Sequence, residues 1–295
     1  MVLLELFSGI GGFSKGLEAA GYAFDTVYYS EIDKHAIANF KYNFPYAKHI
    51  GSVTEIRNAD IERPNIITFG SPCQNFSVIG DGKGLMGRES HLISHAIEAV
   101  RRFRPDVFIW ENVKGVLSAR HREDFWSIVK AFADIGGYRL EWQLFNTSWF
   151  LPQNRERIYF VGRLAEKCTA GIFPVVPEGC VHNKGGNDTL HSRVFGTLLR
   201  GYYKQSNTGN YLLYLKPGEK YDGKPAGEQL AHIRMLTETE CERLQGFPDG
   251  YTRYGVYDGE KKEIRKCHRY AMLGNAVSVP VVAAVAGKIK ETTIL

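Results

Sequence analysis

Short apolar runs alternate with helical stretches through the first half of the chain, and this order limits the fold more than any other feature. Four of the apolar runs are predicted as buried strands, namely Val2–Phe7, Ala23–Ser30, Ile66–Phe69 and Val107–Trp110. Repeated β-α-β order predicts an α/β fold with a doubly wound, mostly parallel sheet. Ligands of such sheets bind beyond the carboxyl ends of the strands, so the loops there are expected to carry the chemistry.

The pattern changes after Arg163. Ala165–Gln229 is rich in Gly, Asn and Lys and lacks a helical period, which predicts a small, irregular, β-rich region. Helical periodicity returns at Thr237–Leu244 and at Val281–Ile289, and the second of these is predicted as a core helix. No apolar run reaches the ~18–20 residues of a membrane span, and the N-terminus lacks the basic start of a signal peptide.

Charge and cysteine content set weak limits on function. The chain has 37 Lys and Arg against 32 Asp and Glu, a net charge of +5 that fits an anionic partner without requiring one. Its five cysteines include no CxxC pair. We therefore expect neither a zinc site nor a disulfide framework, and a reducing cytoplasm as the location.

A glycine-rich turn and an acidic residue point to a nucleotide-like cofactor. The turn Ser8–Phe13 follows the first strand, where backbone N–H groups can approach a polar ligand closely. Glu31 ends the second strand, where a carboxylate can bind a ribose diol. These two features favour an adenosine-type cofactor, either NAD or S-adenosylmethionine, and do not choose between them.

A cysteine in the loop after the third strand is the candidate nucleophile. Cys73 follows a proline in Gly70–Ser77, and the next loop carries four glycines that are typical of a mobile lid. Glu111 ends the neighbouring strand at the same predicted sheet edge. Arg155 and Arg157, two residues apart, are predicted to share one face of an extended segment.

Six motifs in order resemble those of the DNA cytosine-5 methyltransferases, especially compact bacterial and phage members. The matching segments are Phe7–Gly12, Pro72–Gln74, Glu111–Val113, Gln153–Arg157, Arg243–Asp249 and Gly274–Val277. The resemblance implies a Rossmann-like methyltransferase domain that uses S-adenosylmethionine. It would comprise residues 1–163 and 270–295, with a target-recognition domain at 164–269.

Cytosine chemistry assigns roles to the candidate catalytic residues. The Cys73 thiolate would add to C6 of a cytosine flipped out of the duplex, which makes C5 nucleophilic. A protonated Glu111 would hydrogen-bond N3 and the exocyclic amine. By resemblance, Arg157 would hold the cytosine O2, and Arg155 would support Cys73 or a backbone phosphate.

The resemblance also implies the cofactor pocket. Phe7, Gly9, Gly11 and Gly12 would face the methionine and adenosine, Glu31 the ribose diol and Ile32 the adenine; Pro72, Leu92, Asn275 and Val277 would form the walls. Beneath the adenine amine, members commonly have Gly-Asp-Ile where this chain has Gly51-Ser52-Val53. Ser52 accepts a hydrogen bond but adds no charge, so weaker cofactor binding is expected.

DNA contacts are expected from the lid, from the region after Arg163, and from the basic stretch Arg253–Arg269. Arg and Lys suit guanine or phosphate, whereas Gln suits adenine. Tyr202 and Tyr203 are candidates for stacking on bases. For any one of these residues, an ordinary solvated surface is the alternative interpretation. The candidate contacts are Ser77, Lys83, Arg88, Gln153, Arg193, Arg200, Lys204 and Gln205.

The expected partner is double-stranded DNA, read by a monomer at a short site of no more than about six base pairs, and no membrane is involved. Three alternatives stay open: a transfer-RNA methyltransferase of the same design, an NAD(P)-dependent oxidoreductase, and a catalytically silent DNA-binding relative. The sequence does not reveal the recognition site, or whether a cognate restriction endonuclease accompanies the protein.

Overall fold

The computed structural model describes residues 1–71, 92–176, 195–204, 211–213 and 233–295. Within these ranges the helices are α1 (Gly12–Ala19), α2 (Lys34–Asn43), α3 (Leu92–Phe103), α4 (Arg122–Ala133), α5 (Glu238–Gln245), α6 (Lys266–Asn275) and α7 (Val279–Thr292). The strands are β1 (Val2–Leu6), β2 (Thr26–Ser30), β3 (Lys48–His49), β4 (Ile66–Gly70), β5 (Val107–Val113), β6 (Tyr138–Asn146), β7 (Glu156–Leu164), β8 (Tyr211–Leu213), β9 (Ile233–Met235), β10 (Tyr254–Tyr257) and β11 (Glu260–Glu263).

The main sheet has the strand order β3-β2-β1-β4-β5-β7-β6. Its pairs are parallel except for those of β7, which runs antiparallel to both β5 and β6. The expected doubly wound, mostly parallel sheet is thus confirmed. The exception has a simple cause, because only residues 147–155 link β6 to β7 and a parallel crossover needs about a dozen or more.

Three buried clusters hold the described residues together. One cluster fills the sheet face beneath α3 and α4, and another fills the opposite face beneath α1 and α7. The third joins Ile10 and Phe40 to Leu198, Leu244 and Ile264. Segments of the proposed recognition domain therefore share a core with the N-terminal half, and the boundary at 164–269 stays a prediction.

The stretch Arg253–Arg269, which was predicted only as a basic segment, contains regular structure. Strands β10 and β11 form a hairpin whose turn holds Asp258 at φ 51° and Gly259 at φ 82°. This hairpin packs on α2 through Gly255, where an added Cβ would lie 2.9 Å from the Ala38 Cβ. Helix α6 follows directly and leads into α7.

The C-terminal stretch Lys266–Thr292 is long and apolar enough to cross a membrane by length and composition, with a mean hydropathy of 1.5 over its most apolar window. However, 67% of that window is buried within the protein. Val281, Val285 and Ile289 of α7 lie in the core cluster beneath α1. This burial agrees with the prediction of a core helix.

Candidate active site and cofactor pocket

The glycine-rich turn after β1 has the left-handed backbone that its composition predicts. Phe7, Gly9 and Gly11 have φ values of 52°, 54° and 81°. A Cβ on Gly11 would lie 2.5 Å from the Phe44 ring, whereas a Cβ on Gly9 would meet no atom of the described residues within 4 Å. Gly11 is therefore required for packing, while Gly9 leaves an open surface at the end of β1.

Glu31 braces this turn from the end of β2. Its Oε2 accepts the Gly9 N–H at 2.8 Å, and its Oε1 accepts the N–H groups of Ile32 and Asp33 at 2.8 and 2.9 Å. Ile32 itself is 77% exposed. A carboxylate and an open apolar side chain thus stand side by side, as a ribose diol and an adenine ring would require.

The C-terminal segment closes the turn from the other side. A Cβ on Gly12 would lie 2.6 Å from Cγ2 of Val277, so this glycine allows the segment before α7 to dock on α1. Asn275 is exposed and Val277 is buried. The fold therefore brings Val277 to the first turn of the chain, and the cofactor roles of Asn275 and Val277 stay predictions.

The remaining cofactor candidates differ in exposure. Val53 is buried in the core, and Ser52 caps the short helix Val53–Asn58 by accepting the Thr54 N–H at 3.3 Å. The Ser52 hydroxyl also lies 2.9 Å from the Thr54 hydroxyl. Leu92 begins α3 and is partly buried. Pro72 lies outside the described residues.

Glu5 lies completely buried beneath the glycine turn. Its Oε2 accepts the backbone N–H and the hydroxyl of Ser14, while Oε1 has no hydrogen-bond partner among the described residues. Burial raises the pKa of Glu5 to about 8, against the opposing effect of the Ser14 hydrogen bonds. Glu5 was not among the predicted site residues, although an acid inside an apolar strand is unusual.

Glu5 is expected to make stability depend on pH. The folded protein keeps a proton at Glu5 that the unfolded chain releases above pH 4.5, so the stabilisation is complete below 4.5 and lost as pH rises through 8. Glu5→Gln should remove up to about 1.4 kcal/mol per pH unit from this decline. Urea unfolding at about pH 5.5 and 7.5 measures it. Glu166→Gln at an exposed site is the control, and an equal decline in both variants would contradict the assignment.

Glu111 and Arg157 form the centre of the candidate catalytic site. Glu111 lies near the end of β5, and its Oε1 is 3.0 Å from Nε of Arg157 on β7. Both side chains are largely buried, at 11% and 16% exposure. A Cβ on Gly70 would lie 3.1 Å from Oε2 of Glu111, so the glycine leaves room for this carboxylate. Gly70 is the third residue before Cys73, which itself lies outside the described residues.

Two side chains that the sequence analysis did not assign hold the residue before the Pro72–Gln74 motif. Nε1 of Trp110 donates to the Ser71 hydroxyl at 3.0 Å, and Nδ2 of Asn112 donates to the Ser71 carbonyl at 3.2 Å. Ser71 is buried. Both partners flank Glu111 in the chain, so the Glu111–Val113 motif was the available signal for this positioning role.

Arg155 binds backbone carbonyls, which excludes one of its two predicted roles, contact with a DNA phosphate. Its side chain is buried, and its guanidinium donates to the carbonyls of Leu198, Gly274 and Ala276 at 2.8–3.3 Å. Burial lowers the pKa of Arg155 to about 9, which leaves it charged at neutral pH. A buried guanidinium bound to carbonyls cannot reach a DNA phosphate. Arg155 instead holds the C-terminal segment in place. Its predicted support of Cys73 stays a prediction, because Cys73 lies outside the described residues.

Gln153 was predicted to contact DNA, but its side chain is fully buried. Nε2 donates to the Leu244 carbonyl at 2.7 Å and Oε1 accepts the Leu198 N–H at 3.0 Å. Because both ends of the amide bind backbone, it is a structural link and the DNA assignment was wrong. Tyr202 is likewise buried, with its hydroxyl accepting the Leu236 N–H at 2.8 Å, so it is not available for stacking on bases.

Two DNA-reading candidates lie at the surface. Arg200 and Lys204 are exposed, and the Lys204 ammonium is 5.8 Å from the Tyr203 ring centroid. Tyr203 is also exposed, at 39%. The other candidates lie outside the described residues: Ser77, Lys83, Arg88, Arg193 and Gln205.

The doubly wound sheet, the glycine turn braced by an acid and the Glu111–Arg157 pair against Gly70 define a Rossmann-like α/β domain with a candidate catalytic centre at one edge of its sheet. Comparison with known proteins gives the family. The family model described as C-5 cytosine-specific DNA methylase matches residues 1–189 and 182–291. The chain therefore belongs to the C-5 cytosine-specific DNA methylase family.

Individual relatives agree with this family. The type II methyltransferase M.Bsp6I of Bacillus sp. strain RFL6 is 29% identical over 98% of both chains. The orphan methyltransferase M.SPRI of Bacillus phage SPR is 35% identical, but the match covers 54% of this chain and 37% of that protein. Among solved structures, the Dnmt2 methyltransferase of S. pombe shares the fold with a TM-score of 0.70, at 22% identity, over 99% of this chain and 98% of that one.

Proposed function

We propose that the protein methylates C5 of a cytosine in double-stranded DNA, with S-adenosylmethionine as the methyl donor. The observation that carries this proposal is the Glu111–Arg157 pair, which lies against Gly70 where β4 leads into the Pro72–Gln74 motif. An acid and a guanidinium near the end of the strand that precedes the cysteine motif are groups that cytosine activation needs. The family membership supports the same chemistry.

The chemistry begins with bond formation between the Cys73 sulfur and C6 of the flipped cytosine. Attack at C6 moves electron density toward N3, where a protonated Glu111 donates a hydrogen bond and selects cytosine over thymine. Before the base binds, the Glu111 carboxylate pairs with Arg157. When the guanidinium turns to the base O2, the Glu111 carboxyl group is released to face N3 and the exocyclic amine. After C5 has taken up the methyl group, a base such as an ordered water removes the C5 proton. The electrons of that C–H bond re-form the C5–C6 double bond, the C6–S bond breaks, and the Cys73 thiolate leaves.

The residues around the glycine turn suit S-adenosylmethionine, which supplies the methyl group taken up by C5. The open side of Gly9 admits the amino-acid part, Glu31 stands at the end of β2 for the ribose hydroxyls, and exposed Ile32 offers an apolar face to adenine. Ser52 is the polar group near the adenine amine and carries no charge. These side chains bind and orient the donor.

Glu31 provides a test of the cofactor pocket. Glu31→Ala removes the ribose acceptor, the hydrogen bond from Gly9 that braces the turn, and the hydrogen bonds from the N–H groups of Ile32 and Asp33. We expect S-adenosylmethionine to bind about 10- to 100-fold more weakly, which corresponds to one charge-assisted hydrogen bond. Isothermal titration measures this change, with exposed Glu62→Ala as the control. Unchanged affinity in Glu31→Ala would place the ribose elsewhere, and tighter binding of NAD than of S-adenosylmethionine would favour an oxidoreductase.

The activity itself is tested by bisulfite sequencing of a plasmid from cells that express the chain. We expect 5-methylcytosine at one short recurring sequence and at no other site. The same cells expressing Glu111→Gln, which lacks an acid for N3, provide the matched control and should show a background level. Absence of 5-methylcytosine, together with methylation of transfer RNA, would instead support the RNA alternative.

We also propose that the protein acts as a monomer in the cytoplasm of a bacterium or a phage-infected cell. The type II names of its relatives fit a cognate restriction endonuclease as a functional partner. Sedimentation of the purified chain, with and without DNA, tests the monomer. A stable dimer in the absence of DNA would contradict it.

A further inference from the structure

A cavity of about 530 Å³ lies outside the catalytic centre, between the start of α2, the β10–β11 hairpin and the start of α6. We call it the α2–α6 pocket. Five of its lining residues carry or can carry a positive charge, namely Lys34, His35, Lys262, Arg265 and His268. The acidic lining residues are Asp258 and Glu263.

The positive charge of the α2–α6 pocket is only partly balanced. Glu263 is 3.1 Å from the side chain of Arg253, and Lys262 is 2.8 Å from Glu260. Within the described part of the chain, no carboxylate lies within 4 Å of the charged groups of Lys34 and Arg265, and both residues are exposed. Lys34 and Arg265 are thus exposed cations at this pocket, and the acids that oppose them are Asp258, Glu263 and Asp33.

Two histidines stack on one wall of the pocket. The rings of His35 and His268 are 3.7 Å apart with an angle of 21° between their planes, and Nδ1 of His35 is 2.7 Å from the Tyr257 hydroxyl. Burial, the neighbouring His268, Lys34 and Arg265 lower the pKa of His35, and Asp33 opposes them. The remaining charged groups facing the pair are Asp258, Lys262 and Glu263. An anion in this pocket would favour the protonated rings.

The position of the α2–α6 pocket suggests the source of such an anion. Helix α6 also contacts the segment that carries Arg200 and Lys204, through the Tyr270–Tyr202 ring contact and the close packing of Gly274 on Arg200. The pocket and these exposed cations therefore lie along one helix. At its other edge, Lys34 is two residues from Ile32 at the proposed cofactor site.

We propose that the α2–α6 pocket binds a phosphate group, and that in the working enzyme this group is a backbone phosphodiester of the substrate DNA. This inference rests on DNA being the substrate. Lys34 and Arg265 supply the fixed charges, and the histidine pair supplies N–H donors. The contact adds affinity without reading sequence.

The salt dependence of DNA binding tests whether the α2–α6 pocket contacts a backbone phosphodiester of the DNA. The Lys34→Gln/Arg265→Gln double variant should show a slope of log K against log salt that is shallower by about 0.9, the value for one phosphate contact on duplex DNA. Lys41→Gln, an exposed lysine at the far end of α2, is the matched control and should keep the wild-type slope. Fluorescence anisotropy with one labelled duplex measures all three proteins.

A titration with inorganic phosphate distinguishes a site for free phosphate from a site for the DNA backbone phosphodiester. NMR titration of the imidazole resonances should show that phosphate raises the pKa of His35 in the wild type but not in the double variant. A phosphate effect with an unchanged DNA slope would overturn the diester and leave a site for free phosphate. If phosphate leaves the pKa of His35 unchanged and the double variant also keeps the wild-type DNA slope, the proposed phosphate site is overturned. Failure of the wild type to produce 5-methylcytosine would refute the proposed function, whereas the phosphate titration would still test the pocket.

Discussion

Replacing Cys73 with serine is expected to abolish methyl transfer, with a loss of at least about 10⁴-fold, as found when other enzymes lose a covalent nucleophile. A serine hydroxyl is far less ionised than a thiol at neutral pH and adds poorly to C6. The same variant should fail to form a covalent complex with DNA that contains 5-fluorocytosine. Fluorine at C5 prevents the elimination that releases the enzyme, but this traps the enzyme only if a sulfur has first added to C6. Gel electrophoresis under denaturing conditions detects the trapped complex.

Cys267→Ser supplies the control for this experiment. Cys267 is a free, partly buried cysteine at the start of α6, and it has no role in the proposed chemistry. The control should methylate and trap like the wild type. Trapping that persists in Cys73→Ser and disappears in Cys267→Ser would assign the nucleophile to α6.

Arg155→Met is expected to have the largest effect on stability, a loss of at least about 3 kcal/mol in the free energy of unfolding. The substitution leaves the carbonyls of Leu198, Gly274 and Ala276 without their donor in a buried site. Urea unfolding measures the loss. Because Gly274 and Ala276 flank Asn275, affinity for S-adenosylmethionine should fall in parallel.

Two further variants separate a clamp from a catalytic group. Arg120→Met changes an exposed arginine and should alter stability by less than about 0.5 kcal/mol. Arg155→Lys keeps the charge, but a single ammonium cannot span three carbonyls, so an intermediate loss of stability is expected. If Arg155→Met were as stable as the wild type yet inactive, the structural role of Arg155 would be refuted, and the result would favour its predicted support of Cys73.

Local patterns were sufficient for the sheet and for the chemistry of its loops. Apolar runs of strand length, interrupted by helical periods, predict the strand–helix order because each element must bury one face. Gly9 and Gly11 could be read from the sequence because left-handed backbone favours glycine, and their φ values agree. Helix α6 and the β10–β11 hairpin were predicted only as a basic segment, and they are positioned by packing against α5 and α2, respectively.

The role of a polar side chain was predictable only where its partner is local. Arg155 and Arg157 were expected to share one face, but β7 begins at Glu156, so the two-residue period does not extend to Arg155. Arg157 pairs with Glu111, while Arg155 turns to carbonyls up to 121 residues away. Gln153 similarly bonds to Leu244, 91 residues away. No local spacing encodes these partners.

The sequence by itself determined the α/β class, the position of the glycine turn and the set of reactive groups in the loops, because these follow from periodicity, backbone stereochemistry and side-chain chemistry. Only the tertiary structure decided that Arg157 lies at the candidate catalytic site and that Arg155 is buried and hydrogen-bonded to backbone carbonyls. It also decided that Lys34 and Arg265 meet around one pocket. The physical reason is that burial and long-range hydrogen bonds, rather than residue type, set the role of a charged group.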